Sequence, residues 1–356
     1  MKNFIQTLFL AILLALSMVA NAQIETTILN LERDESVNTV PFFTNRVLQV
    51  NPDNTFTFQN SSTKQTNTLY FCTYNYETDS ISLNLRAINV SDHYPTEKLQ
   101  HNIMYDIYEY NRIKRGIKNF YIVVGGYGKS FEKQVHEYML RLKTNYGDSL
   151  LNKASISLFA WGNEDKVYRY YNALRVSKRG AADFAIFQHM LDEFISDTEY
   201  WRTHPKDITI SILFSSMANE MFRSYVIERE RENIPLVKTY NSIIFVGSVA
   251  PRDVFEEGKA FHNLDQMTDT VRLVVNSKDI LLKMSSLAHL KNRIGNKGPK
   301  DPEHLPDFVS LSNIKGIITK EDMKRMGHDY VLTNPVVQDA LLEMAERNIE
   351  SKNKDK

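Results

Sequence analysis

The chain has 356 residues, of which 42% are hydrophobic and 24% charged, as in an ordinary globular protein with a large core. Lysine plus arginine number 43, and aspartate plus glutamate also number 43, so the net charge gives no reason to expect a nucleic-acid or anionic-membrane partner. Cys72 is the only cysteine, which excludes an intramolecular disulfide and a cysteine-based zinc site. Its neighbours Tyr70, Phe71 and Thr73 favour a buried strand position over a nucleophile.

Residues 1–22 have the pattern of a cleavable secretory signal. Lys2 precedes the apolar run Leu8–Leu16, and Ala20–Ala22 forms an A-x-A cleavage site. The run is shorter than the roughly 18 to 20 apolar residues of a membrane helix. We therefore expect cleavage near Ala22, export to the periplasm or the extracellular space, and no transmembrane segment afterwards. An uncleaved anchor is the alternative.

Residues 23–98 are predicted to form an N-terminal β-rich extension. Apolar and polar residues alternate from about residue 38 to residue 90, as in Ser80–Leu85, and Asn51–Asn54 supplies turn residues. This pattern predicts antiparallel strands. It leaves open whether they form an added layer or extend a larger sheet.

Residues 99–350 are predicted to alternate between strands and helices, and residues 351–356 to form a charged tail. Helical spacing is found over Leu99–Lys114, Phe131–Leu142, Val167–Ile195 and Asn219–Ile227. The predicted strands, apolar on both faces, are Phe120–Val124, Ser155–Phe159, Ile208–Leu213, Ser242–Val246 and Val271–Val275. Such strands, separated by helices, predict an α/β fold with a mostly parallel sheet covered by helices on both faces. Ligands of such sheets bind beyond the carboxyl ends of the strands.

Three residues at or near such positions arrive in the order serine, aspartate, histidine. Ser216 follows a predicted strand and precedes a helix, Asp279 follows a later strand, and His328 lies in a loop before the last helix. This is the chain order of the α/β-hydrolase catalytic triad. Each residue also has an ordinary interpretation, because serine and aspartate are favoured helix N-caps and a single loop histidine is common.

The turn around Ser216 departs from the expected G-x-S-x-G pattern. Phe214 and Ala218 stand where glycine normally lets the strand and helix approach each other closely. The benzyl group of Phe214 must find room beside that crossing.

An oxyanion hole would need two backbone N–H groups near Ser216. We expect one from Met217, and the other from Gly126 or Tyr127 in the glycine-rich loop that follows the strand ending at Val124. That loop lacks a complete phosphate-binding motif, and the nine histidines form no recognisable metal-ligand spacing. We expect neither a cofactor nor a metal.

The ordered motifs resemble a family of bacterial α/β-hydrolases of unassigned function. The similar segments are Pro41–Arg46 (F-x-T-N-R), Val124–Gly128 (V-H-G-Y-N), Phe159–Asn163 (F-x-W-P-S), Phe214–Asn219 (A-H-S-M-G-N), Ala250–Val254 (A-P-D-V), Ser277–Leu282 (S-x-x-D-x-A-L), Arg293–Gly295 (R-L-G) and Gly327–Tyr330 (G-H-x-Y). The resemblance implies a hydrolase fold with Ser216 as nucleophile, Asp279 as orienting acid and His328 as general base. It implies no particular substrate.

Two functional hypotheses follow. The first is an exported serine hydrolase acting on an ester, thioester or amide, with a small-molecule or acyl substrate. The second is a catalytically silent fold that binds a ligand or partner at the cell envelope, because the serine turn lacks both glycines. The polar stretch Asn292–Met326, between the aspartate and the histidine, is predicted to be either a lid or a surface insertion.

Overall fold

The computed structural model describes residues 39–50, 52, 56–59, 68–75, 80–89, 102–126, 131, 134–136, 144, 153–162, 170–289, 291–314, 328, 330, 334–341 and 343. The predicted signal sequence and the charged tail lie outside these residues. Within them, no helix is long and apolar enough to cross a membrane.

A nine-stranded mixed sheet organises the fold. Its strands are β1 (Thr39–Thr44), β4 (Thr68–Asn75), β5 (Ser80–Asn89), β6 (Asn119–Val124), β7 (Ala154–Phe159), β8 (Thr209–Ser215), β9 (Tyr240–Val246), β10 (Thr268–Val275) and β11 (Val309–Asn313). They lie in the order β11-β10-β9-β8-β6-β7-β1-β4-β5. The pairs from β11 to β1 are parallel, and β1-β4 and β4-β5 are antiparallel. The five strands predicted between residues 120 and 275 are therefore confirmed.

The N-terminal strands continue the main sheet. Strand β1 pairs on one side with β7, in parallel, and on the other with β4, antiparallel. A separate two-stranded ladder joins β2 (Leu48–Val50) to β3 (Phe56–Phe58). Of the two arrangements that the sequence left open, the structure has an extension of the sheet.

Helices occupy the connections between the parallel strands. They are α1 (Ile103–Tyr108), which continues as a π-helix over Glu109–Lys114, α2 (Tyr170–Ser196), α3 (Thr198–Thr203), α4 (Ala218–Arg231), α5 (Ile280–His289) and α6 (Ile294–Lys297). A short 3₁₀ turn spans Leu264–Gln266, and residues 335–341 are helical. The predicted helices near α1, α2 and α4 are thus present, with different ends.

Both faces of the sheet are buried. Alternate side chains of β6 enter two different cores, Phe120 and Ile122 on one side and Tyr121 and Val123 on the other. The first core includes α1, α2 and α4, whereas the second includes helical residues such as Val337. Burial on both sides explains why these strands are almost continuously apolar. The fold is therefore α/β, with a mostly parallel sheet flanked by helices.

The polar stretch after Asn292 contains a strand that neither interpretation predicted. Residues Val309–Asn313 form β11, which pairs in parallel with β10 at the edge of the sheet. Earlier in the stretch, Ile294 N–H donates to Ala250 O at 3.0 Å and Gly295 N–H donates to Ser248 O at 3.0 Å. Residues 292–314 are thus built into the sheet and its neighbouring loops, and residues 315–326 lie outside the described part of the chain.

Candidate active site

The chain changes direction within two residues between β8 and α4. Ser216 has φ of 54°, in the left-handed region that residues other than glycine rarely adopt. Its N–H donates to Val246 O at 2.8 Å, which holds the turn against β9. A non-glycine residue in this conformation costs about 1–3 kcal/mol and is most common at functional sites. The serine is therefore held in a strained position at the carboxyl end of a central strand.

Asn219 fastens this turn from the first turn of α4. Its side-chain amide donates to Phe214 O at 3.0 Å and to Ser216 O at 2.9 Å, and the residue is fully buried. Ser216 O also accepts from the backbone N–H of Asn219 at 3.1 Å, so backbone and side chain of one residue together hold the turn. These contacts of Asn219 were not predicted from the sequence. The sequence feature that could have predicted them is an amide side chain three residues after the serine.

The side chain of Phe214 does not disrupt the turn. It is fully buried between strand and helix, stacked on Phe222 of α4 with ring centroids 4.3 Å apart. Phe184 of α2 meets it edge-on at 5.6 Å. Ala218 is also fully buried in this core. Packed aromatic rings therefore hold the strand and the helix apart, so the turn forms without glycine at positions 214 and 218.

Asp279 makes the contacts of both interpretations that the sequence left open, the helix N-cap and the partner of the histidine. Its Oδ1 accepts from Leu282 N–H at 2.9 Å, as a helix N-cap does at the start of α5. Its Oδ2 lies 2.6 Å from His328 Nδ1 and accepts from Tyr330 O–H at 3.1 Å. The carboxyl group is 0% exposed. Capping the helix thus fixes the carboxyl group while its second oxygen faces the histidine.

His328 connects the aspartate to the serine. Its Nε2 lies 2.8 Å from Ser216 Oγ, and its side chain is 15% exposed. An ionised carboxylate can only accept hydrogen bonds, so Nδ1 carries the ring proton when Asp279 is ionised. Nε2 then has a lone pair that can accept the serine proton. The structure therefore brings together Ser216, Asp279 and His328 in one hydrogen-bonded chain.

Gly247 makes room for the imidazole. It follows β9 with φ of 57°, and a Cβ atom added there would lie 3.1 Å from His328 Cε1. Any side chain would press on the ring and also strain the backbone. Sequence reasoning missed this residue, although a glycine directly after a buried strand was a visible signal.

The candidate oxyanion residues lie on either side of the serine. Gly126 follows β6, and a Cβ atom added to it would lie 3.0 Å from Ser216 Cβ. The preceding carbonyl, Gly125 O, accepts from Trp161 Nε1 at 2.6 Å, which fixes this loop. Met217 is the N-cap of α4, where the first N–H groups of a helix have no acceptor within the helix. Tyr127 lies outside the described residues.

The position of the site follows from strand order. The chain runs from β6 to β7 on one side of β6, and then returns to β8 on the other side. Strand β6 connects to β7 in one direction along the sheet and β8 connects to β9 in the other, and open α/β sheets bind their ligands at such a switch point. Gly126 and Ser216 lie at the carboxyl ends of β6 and β8. The arrangement can move a proton from Ser216 Oγ to the imidazole of His328.

The single cysteine and the possible metal ligands were the other candidate groups. Cys72 lies in β4, and burial raises the pKa of its thiol well above the ordinary value, which keeps it protonated. Within the described residues, no group of three or more histidine, cysteine, aspartate or glutamate side chains could hold a metal ion.

Comparison of the chain with models of known protein families finds no match. A search of curated proteins also finds no similar sequence. Functional inference therefore depends on the geometry of the residues themselves.

Proposed function

We propose that this protein is a serine hydrolase of the α/β-hydrolase type that cleaves an ester, thioester or amide through a covalent acyl-enzyme. The observation that carries the proposal is the chain Ser216 Oγ to His328 Nε2 at 2.8 Å and His328 Nδ1 to Asp279 Oδ2 at 2.6 Å. The strained turn of Ser216 between β8 and α4 supports it, because a nucleophile elbow has this backbone arrangement. The motif resemblance points to the same class.

In this reaction Ser216 Oγ attacks the substrate carbonyl carbon while its proton passes to His328 Nε2. Asp279 stabilises the imidazolium and holds the ring in the required tautomer. The N–H of Met217 and an N–H of the Gly126–Tyr127 loop would stabilise the negative charge that develops on the carbonyl oxygen. The imidazolium then protonates the leaving group, and water activated by His328 hydrolyses the acyl-enzyme.

The alternative of a silent binding protein rested on the absent turn glycines. It predicts that Ser216 has no hydrogen-bonding path to His328, whereas these two side chains lie within hydrogen-bonding distance. The packing of Phe214 against Phe222 in the aromatic core supports the hydrolase over this alternative. We also propose that the protein acts outside the cytoplasm, because residues 1–22 have the pattern of a secretory signal.

Labelling with a fluorophosphonate probe tests the nucleophile. We expect the wild type and the matched variant Ser215→Ala to be labelled, and Ser216→Ala to remain unlabelled. Asp279→Asn should lower kcat about 10⁴-fold, because an amide favours the wrong histidine tautomer. A panel of short- and long-chain acyl esters would then identify the substrate class. Failure of the correctly folded wild type to react with the probe would restore the binding-only hypothesis.

A further inference from the structure

A second cavity lies on the α4 side of the loop that follows β9. Its volume is about 450 Å³, within the range of small-molecule sites. Arg223 of α4 lines one side, and Pro251, which bridges to Arg293, lies in the loop after β9. Helix α4 begins directly after Met217, next to Ser216, and the loop after β9 begins at Gly247, next to His328. The two segments that line the cavity therefore both start at the candidate active site.

The charged lining of this cavity is mostly basic. Five cationic residues line it and only one carboxylate does; they are Arg223, Arg252, Lys259, Lys291, Lys300 and Asp253. The whole chain has equal numbers of acidic and basic residues, so this is a local concentration of positive charge.

Three of the five cations have carboxylate partners. Arg223 forms two hydrogen bonds with Glu220, at 2.8 and 2.6 Å, and this pairing raises the pKa of its guanidinium. Lys259 lies 3.7 Å from Asp253, and Lys300 lies 3.5 Å from Glu256. The two lysine pairs are partly exposed, so they contribute little stability and can open at little cost.

Arg252 is anchored without being neutralised. Its Nε donates to Gly298 O at 2.8 Å and its Nη2 donates to Pro299 O at 2.7 Å. These acceptors are uncharged carbonyls, so the guanidinium keeps its full positive charge. A guanidinium has five N–H groups, and among the described residues only two of them are engaged here.

Lys291 is the second cation without a carboxylate partner in the described part of the chain. It follows α5, and its side chain is exposed at the cavity. An anchored arginine and an exposed ammonium group that line the same cavity suit an anion, because the arginine is already oriented and a lysine side chain has a flexible stem.

We propose that this cavity binds the phosphate or carboxylate group of a small anionic ligand. Arg252 would donate through its remaining N–H groups and Lys291 through its ammonium group. Lys259 and Lys300 would add to the positive field around the bound group. The proposal does not depend on hydrolysis, so it stands or falls separately from the role of Ser216.

Calorimetric titration of the full chain with inorganic phosphate, and separately with succinate, tests the site. We expect saturable binding of at least one anion, about tenfold weaker in Arg252→Gln and in Lys291→Gln, because each loses a charge-assisted hydrogen bond. Lys178→Gln, an exposed change on α2, is the matched control and should bind as the wild type does. A preference for phosphate or for succinate would distinguish the two ligand chemistries.

Arg252→Gln removes hydrogen bonds to the Gly298–Pro299 loop and could loosen it, so Lys291→Gln is the decisive variant. The proposal is overturned if the wild type binds neither anion, or if Lys291→Gln binds as tightly as the wild type. An equal loss in Lys178→Gln would also overturn it, since binding would then reflect overall charge.

Discussion

Asn219 maintains the strained conformation of Ser216. The left-handed conformation at Ser216 persists only if surrounding contacts outweigh its cost of about 1–3 kcal/mol. Asn219 supplies two of these contacts, to Phe214 O and Ser216 O, and Val246 O supplies a third. Asn219 is therefore a positioning residue, since its buried side-chain amide holds the backbone of the serine turn.

We expect Asn219→Ala to lower both stability and activity. Loss of the amide leaves two buried carbonyls with fewer donors, which costs about 1–3 kcal/mol of unfolding free energy. Relaxation of the turn would misplace Ser216, and kcat should fall about 10²-fold with a smaller change in KM. Urea unfolding and ester kinetics measure the two effects.

Asn263→Ala is the matched control, because Asn263 is exposed and its side chain makes no cap hydrogen bond. It should resemble the wild type in both measurements. If Asn219→Ala lost stability but kept its kcat, Asn219 would be a purely structural residue.

At the scale of elements, the packing of α4 against β8 depends on aromatic contacts. Phe214 of β8 stacks on Phe222 of α4 with ring centroids 4.3 Å apart, and Phe222 also meets Phe245 of the neighbouring strand β9 at 5.9 Å. A glycine two residues before the serine would let the strand and the helix cross at a shorter distance. Here the strand and helix are separated by the ring that lies between them.

We therefore expect Phe214→Gly to destabilise the protein even though it moves the turn toward G-x-S-x-G. Removing a fully buried phenylalanine side chain typically costs about 3–5 kcal/mol. Ala218→Gly, the other change toward that pattern, removes one buried methyl group and should cost less, about 1–2 kcal/mol. Denaturant unfolding of both variants checks this, and a Phe214→Gly protein at least as stable as the wild type would refute it.

The strands that the sequence predicted most clearly are those that are buried on both faces. Strands β6, β7 and β8 are continuously buried, so their apolar runs were clear. Strand β11 was missed because it is an edge strand with mostly exposed or partly exposed side chains. Its alternation of Val309 and Leu311 with serines was a weak signal inside a polar stretch.

At the scale of the whole molecule, Asp207 links three segments at the end of the sheet opposite the candidate site. Arg112 holds its two carboxylate oxygens at 2.7 and 2.8 Å, and Lys118 Nζ lies 2.6 Å from one of them. These hydrogen bonds, chiefly those from Arg112, lower the pKa of Asp207 well below its ordinary value. A lowered pKa stabilises the folded protein at neutral pH and loses this effect in acid.

We expect Asp207→Asn to reduce the free energy of unfolding at pH 7, and the difference from the wild type to shrink below about pH 4, the ordinary pKa of aspartate. Below that pH the unfolded wild type takes up the proton first, so the advantage of the folded ion pair disappears. Urea unfolding at several pH values measures this. Asp269→Asn, which removes an exposed surface pair with Lys238, is the control and should change little. A difference that stays constant with pH would contradict the prediction.

The sequence by itself determined the α/β class, because burial on both faces imposes long apolar strands and periodic helices on the chain. It also identified Ser216, Asp279 and His328 as candidates through their order and their places near strand ends. Only the tertiary structure decided that these three side chains meet, since Ser216 and His328 are 112 residues apart and their distance depends on strand order. It likewise decided how Phe214 is accommodated, because the room beside the serine turn is made by rings from other elements.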